Sequence, residues 1–454
     1  MSGYDPLALA DWARIRRYAV PGWMIAEATA ARERGDWRAA CEAALVDVHI
    51  TDPAPVADLL AGLAPDLLRW HLPRALGGST ELASDRTYLL ETGRPITPGA
   101  PVLVARVPAR RPMGDPLIIE VVPAGSFDHA VPRAMWDARY AAGLPGSLVD
   151  RSPIDGSLVD GSLVDGSPIN GSLVDGSLVD GSPINGSLVD GSLVDGSPAN
   201  SSPANGSLVD GSLIDTELVR RGMIRPGALH PLVRAVLFPD AVPEPPEPIV
   251  PAGFATEERV RVRCGGGWHA ITLGHGRLGL PDHTDAERRR ERSLRAFGGV
   301  TGGCFNTELA WCGGDSRPPK RVRAYRRDLW LRMRHGGTRV VLELLDAGMD
   351  PDIRDNRGRT LLHRLNAFDH TRLLPRLLAA GVDVNTRDRL EMTPLFEAVW
   401  HRWPADVAMA LADAGADPRM RVMYMSILSQ LDIIERDGAD DGWTAVIAKL
   451  RERA

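Results

Sequence analysis

Asp346-Ala347-Gly348-Met349-Asp350, Ala380-Gly381-Val382-Asp383 and Ala414-Gly415-Ala416-Asp417 are three copies of one short signature, with their glycines 33 and 34 residues apart. An apolar stretch of helical character precedes each copy, at 340–345, 373–378 and 407–411. A second marker keeps the same step: Gly358-Arg359-Thr360-Leu361-Leu362-His363 recurs as Glu391-Met392-Thr393-Pro394-Leu395-Phe396, with Thr360 and Thr393 33 residues apart. A fixed period of this length predicts a solenoid, because one such unit cannot bury its apolar face without a neighbour to stack on. The local chemistry agrees. A glycine directly after an apolar helix supplies the positive φ that ends it. Thr360 and Thr393 suit helix N-caps, and Pro394 falls in a first turn, where its missing N–H is not needed. Asp350-Pro351 and Asp417-Pro418 stop helix propagation.

The two markers together resemble the ankyrin-repeat family, over about 320–454. That resemblance implies a unit of a β-turn finger, two antiparallel helices and a return loop. It also implies a protein partner bound at the finger tips and the first-helix face. Those positions are Asn356, Arg357, Arg359, Ala367 and Phe368 in the second unit, and Arg389, Leu390, Met392, Trp400 and His401 in the third. Exposed Arg, Met and Trp are enriched at interface hot spots. The competing reading of Trp400, with Trp403, is packing against the end of the stack. The resemblance gives His363 a structural role, bonding its helix to a neighbouring loop. Some positions depart from the pattern. The first unit, about 322–354, lacks the helix-start motif, Leu361 replaces the usual Pro, Phe396 the usual His, and Glu391 a turn glycine. Beyond Arg419, the apolar stretch 423–434 and a helix opening at Asp441-Gly442-Trp443-Thr444 are expected to cap the stack.

A different repeat occupies 146–215: tandem pentapeptides, mostly Gly-Ser-Leu-Val-Asp as at 156–160, with Gly-Ser-Pro-Ile-Asn as at 166–170 recurring about every third unit. Period 5 matches neither helix nor strand. The composition buries too little apolar surface to offset the entropy of ordering, so a disordered insert is expected. A β-solenoid is the alternative, and Pro at 153, 168, 183, 198 and 203 in the Leu position opposes it. The insert holds 10 Asp and one Arg, so nearly all the acidity of a chain with net charge −6 sits there. Its length is expected to be neutral for binding, its flanks belonging to one domain that tolerates it.

The rest of the chain predicts a multidomain α+β protein. Residues 1–145 with 216–238 form an N-terminal α+β domain, with helices over 5–45 and 56–70 and strands at 87–90, 101–105 and 117–122. Six prolines between 239 and 251 mark a semi-rigid linker at 239–252. Residues 253–320 form a central α/β segment, a hairpin (260–264 and 268–273 around Gly265-Gly266-Gly267) followed by a Thr284–Glu287 capping box and an Arg-rich helix. Residues 321–454 are the all-α stack.

Composition bounds the function. With 454 residues, 44% hydrophobic and 25% charged, the chain has ordinary globular composition, and no apolar run approaches the ~20 residues of a membrane span. The first residues carry Asp5 and Asp11 and lack the basic start and apolar core of a signal peptide. Four cysteines are too few for a disulfide framework, so a reducing, cytoplasmic location is the expectation. Lys320 and Lys449 are the only lysines among 53 basic residues, which points to GC-rich coding and a bacterial source. Cys264, Cys304 and Cys312 lie near His269, His275 and His283, but without C-x2-C or H-x3-H spacing they read as incidental thiols and surface histidines. Hence no metal, cofactor or catalytic residue is expected. The main functional expectation is protein binding through the stack. The alternatives are an enzyme with its active site in 1–315 that uses the repeats to recruit substrate, and nucleic-acid binding through 317–339, where nine basic residues accompany only Asp328.

Overall fold

A computed structural model describes residues 6–77, 80–109, 115–127, 129–144, 211–299, 302–313, 317–422 and 425–454. Most of the pentapeptide insert, 146–210, lies outside the described residues. The chain is mixed helix and strand, as expected for an α+β protein. No helix among the described residues is long and apolar enough to cross a membrane.

Helices α1 (Pro6–Tyr18), α2 (Gly22–Glu33), α3 (Trp37–Ala43), α4 (Ala57–Gly62) and α5 (Pro65–His71) open the chain. The sequence predicts one helix over 56–70, but the structure breaks it at Leu63-Ala64, both outside helical geometry. Pro65 is the cause, since its ring disfavours helical geometry at the residue before it. A five-stranded sheet follows: β1 (Asp47–His49), β2 (Arg86–Leu90), β3 (Pro101–Val107), β4 (Ile118–Pro123) and β5 (His129–Val131), in the order β1-β4-β3-β2-β5. The three predicted strands form its antiparallel centre, with Leu103 opposite Val121 and Ala105 opposite Tyr88. The short outer strands β1 and β5 add in parallel and carry too few residues to show a pattern. Leu103, Val104, Ala105 and Val107 of β3 are buried, which accounts for its unbroken apolar run.

Helices α6 (Gly211–Arg220) and α7 (Pro231–Leu237) return the chain to this region. The last pentapeptide, 211–215, is therefore not part of a linker but the first half of α6. Ile214 and Leu218 bury against Leu9, Trp12 and Ile15 of α1, and Asp215 is enclosed against Arg16 (2.6 Å) and the Trp70 indole N–H (2.9 Å). A deletion meant to probe the insert must spare these residues. Ala141 and Leu144 before the insert share one core with Leu229 and Val233 after it. The proline-rich stretch is laid against its neighbours, with Glu244 N–H bonded to Gly227 O (3.0 Å) and Ile249 buried in the second core.

That second core runs from Ile249 to Leu450. Strands β6 (Glu258–Cys264), β7 (Gly267–Gly274) and β8 (Arg277–Gly279) form an antiparallel meander. Its first turn, Gly265-Gly266, has φ of 57° and 87°, which only glycine adopts readily at both positions of such a tight hairpin. The expected capping box starts α8 (Asp285–Ala296), and α9 (Gly303–Trp311) follows. Helix α10 (Lys320–Asp346) is interrupted at Gly337 (φ 64°), so it acts as two helices. After it come a 3-10 turn at Leu362–Ala367 with α11 (His370–Ala379), α12 (Pro394–Trp400) with α13 (Ala405–Asp413), and α14 (Ile427–Arg436) with α15 (Asp441–Glu452). A two-residue pair of strands, β9 (Arg421–Val422) and β10 (Met425–Ser426), precedes α14.

The repeated glycines end their helices in one way. Gly348 N–H bonds to Leu345 O (3.0 Å) and Met349 N–H to Leu344 O (2.9 Å), and the pattern recurs at Gly381 and at Gly415. Thr393 caps α12, its hydroxyl accepting from Phe396 N–H (3.2 Å). Thr360 does not cap an α-helix: its hydroxyl and N–H both meet His363 Nδ1 (3.0 and 3.1 Å), and a 3-10 turn follows. Glu391 occupies the turn position of Gly358 with φ 62°, against 76° for the glycine. A non-glycine residue there is strained by about 1 kcal/mol. Glu391→Gly should therefore raise stability by up to about 1 kcal/mol, and Gly358→Ala should lower it by at least that much. A Glu391→Gly chain with a lower urea midpoint than the parent would refute this account.

Candidate binding surface

The turn at 355–358 and its copy at 388–391 share one construction. Asp355 Oδ1 accepts from the N–H groups of Arg357 (2.7 Å) and Arg359 (2.9 Å), and Asp388 Oδ1 from those of Leu390 (2.8 Å) and Met392 (2.9 Å). Across each turn, Asp355 N–H donates to Arg359 O (2.9 Å) and Asp388 N–H to Met392 O (3.0 Å). Arg389 N–H donates to Arg357 O (3.0 Å), joining one turn to the next. Arg354 adds bonds to Arg387 O (2.8 Å) and Thr386 Oγ1 (2.7 Å). The aspartates that build both turns were visible in the sequence as residues 33 apart.

Asn356, Arg389, Leu390 and His401 are exposed, and Arg357, Ala367 and Trp400 are half-buried. Leu390 keeps 56% of its surface in solvent. Trp400 lies parallel to Phe396, ring centroids 6.1 Å apart, while Trp403 is buried. Arg359, Phe368 and Met392, expected at the surface, are interior. Arg359 is ion-paired to Asp388 (3.3 Å) and Glu397 (2.8 Å), and the other Glu397 oxygen meets His401 Nε2 (3.2 Å). Burial alone would raise the Glu397 carboxyl, but His401, Arg359 and Arg364 outweigh it and hold the group below the usual carboxylate range. Phe368 and Met392 join the apolar core, one closing the 3-10 turn and the other directly preceding the Thr393 cap. His363 bridges units, its Nε2 bonded to Met392 O (2.9 Å).

Five of the nine basic residues in 317–339 have partners among the described residues, and Arg317, Lys320, Arg321 and Arg327 are exposed. Arg321 pairs with Glu258, Arg332 with Asp328 and Glu247, Arg334 with Glu81, and Arg339 with Glu27 and Glu343. Arg326 is buried and donates to Ala310 O (2.9 Å). In the N-terminal region two ion pairs that meet across long sequence separations, Asp66 with His230 and Arg16 with Asp215, are enclosed, whereas Arg139 with Asp58 is exposed.

The cysteines and histidines of the central segment differ from the sequence reading. Cys264, His269, His283 and Cys304 converge, with one donor atom of each lying within 4.8 Å of the other three. His275 lies outside this group, its Nδ1 3.1 Å from Ala347 O, and Cys312 is exposed. No spacing motif announces the convergence, because the four residues come from β6, β7, the turn before α8, and α9.

No protein-family profile matches the chain. It is 39% identical over 69 residues to an ankyrin repeat-containing protein of Schizosaccharomyces pombe, a match covering 15% of this chain. The chain thus spans about a third (33%) of that relative's length, and the likeness is that of a partial ankyrin-repeat signal.

Proposed function

We propose that the helix pairs from Lys320 onward form an ankyrin-type stack that binds a protein partner through its turns and exposed first-helix residues. The duplicated aspartate-centred turn carries this reading. It holds Leu390 in solvent on a backbone already fixed by hydrogen bonds, beside the exposed Arg389. An apolar side chain presented on ordered backbone loses little conformational entropy on binding. Asn356, Trp400 and His401 complete the surface, with the backbone of Arg357 joining the turns. Arg359, Phe368 and Met392 support it from beneath. The partial likeness to the yeast ankyrin repeat-containing protein agrees with protein binding.

The test compares the full chain with a Leu390→Asp, Arg389→Glu chain in capture of partners from lysate at moderate salt, followed by titration of whatever is retained. Loss of a central contact at a hot spot costs about 2 kcal/mol or more, so binding should weaken by at least tenfold. Equal affinity of the two chains would remove the turn from the interface. A captured species that is nucleic acid and dissociates steeply with salt would transfer the function to the basic stretch.

A further inference from the structure

The convergence of Cys264, His269, His283 and Cys304 has a chemistry of its own. We propose that these four residues bind one zinc ion in a closed structural site that staples the β6–β8 meander to α8 and α9. Two thiolates and two imidazoles are a soft, four-donor set, which favours zinc over calcium or magnesium. Zinc in such sites sits about 2.3 Å from sulfur and about 2.0–2.1 Å from nitrogen, so tetrahedral donors lie roughly 3.3–3.8 Å from one another. The four donor atoms, all within 4.8 Å of one another, reach that geometry by small side-chain adjustments. His269 Nδ1 and His283 Nε2 are already 2.9 Å apart, and both cysteines are buried. With four protein donors the site keeps no open position for a substrate, so its role is structural.

The surrounding backbone is arranged for this convergence. Gly265 and Gly266 make the tight turn that places His269 on the strand returning past Cys264. Asp282 Oδ2 accepts from Ala270 N–H (2.6 Å), pinning the next turn to β7 so that His283 meets His269. Gly303 has φ 58°, and a Cβ there would lie 2.6 Å from Arg263 O and from the Cys264 Cα, so only glycine lets Cys304 approach Cys264 this closely. Cys304 then falls in the first turn of α9. The Phe305 ring, centred 4.4 Å from that of His283, shields the group. The meander alone is small, and small units need such a cross-link. Its value to the fold is positional: His275 O accepts from Asp350 N–H (2.8 Å) and Gly313 lies against Gly358, so the stapled segment abuts the first helix pair and the first turn. The inference stands independently of partner binding.

The test is elemental analysis of the full chain purified without chelator under reducing conditions, with cobalt(II) added to chelator-treated protein as a spectroscopic probe. Close to one zinc per chain is expected, and cobalt should give the visible bands of a tetrahedral ion with sulfur-to-cobalt charge transfer. Cys264→Ser, Cys304→Ser and His283→Ala should each abolish stoichiometric zinc, whereas Cys312→Ser should keep it. Should a ligand variant fail to fold, chelator-treated parent protein still decides: its melting temperature should fall and be restored by added zinc. Absence of metal with octahedral cobalt spectra, or zinc retained equally by the ligand variants, overturns the site. A Cys264–Cys304 disulfide under the same reducing conditions overturns it as well.

Discussion

Replacing Asp115 by Ala should destabilise the protein by about 3–5 kcal/mol, the cost of breaking a buried charge cluster from one side. The Asp115 side chain is 3% exposed and gathers partners from distant parts of the chain. Its Oδ1 accepts from Leu82 N–H (2.7 Å), and Oδ2 accepts from Arg74 and from His335 Nδ1 (3.0 Å), with Arg69 3.8 Å away. Burial would raise this carboxyl, yet Arg74, His335 and Arg69 together push it far below the usual carboxylate range. Alanine would leave the buried guanidinium groups of Arg69 and Arg74 with carbonyl acceptors but no counter-charge, and Leu82 N–H and His335 Nδ1 without their acceptor. It would also remove one of the links between the N-terminal region and α10, the element that supplies His335. The readout is the urea midpoint with its slope. A loss under about 1 kcal/mol would mean that the carbonyl bonds of the two arginines hold the cluster without the carboxylate. Asp115→Asn keeps the shape and removes the charge, so a loss nearly as large would assign the effect to electrostatics rather than packing.

The second large effect is loss of stability in mild acid. His71, His335 and His363 are each held below the ordinary histidine value of 6.5, with burial the leading cause. Around His71, Arg16 and His230 add to the depression. At His335, Asp115 opposes it while Arg74 and Arg334 reinforce it. At His363, Met392 O, Asp388 and Glu397 oppose it and Arg359 reinforces it. The hydrogen bonds of His335 suit a neutral ring: Nδ1–H donates to Asp115, and Nε2 accepts from the Thr80 hydroxyl (2.7 Å). A depressed folded-state value means that the unfolded chain binds more protons as pH falls below about 6.5. Stability is therefore full above that pH and declines below it, by up to about 1.4 kcal/mol per pH unit for each histidine that stays neutral. Asp115 and Asp66, whose values are lowered, contribute stability that is lost only in stronger acid. Unfolding free energies from about pH 8 to pH 5 should show this slope, and His335→Gln should reduce the proton uptake by about one. An unchanged slope in that variant would show that His335 protonates freely in the folded protein.

The features legible along the chain are local. The glycines after apolar helices, the double-glycine hairpin, the capping box at Thr284 and the three central strands were legible, because each depends on the φ preference or the donors and acceptors of a few adjacent residues. The split of 56–70 was also written locally, in Pro65. Tertiary structure decided the rest. The edge strands β1 and β5 exist only because a neighbouring strand completes their hydrogen bonds. Arg359 is interior because Asp388 and Glu397 of the next unit pair with it, and Phe368 and Met392 because they join the second core, which spacing along one unit does not reveal. Asp215 left the pentapeptide pattern and joined α6 because Arg16 and Trp70 wait for its carboxylate 145 or more residues away. The Cys264, His269, His283 and Cys304 group has no motif spacing at all. Four separate elements bring it together, and the distances between donor atoms follow from how those elements close on one another. Contacts between residues far apart in the chain are set by that closure, which short-range pattern does not encode.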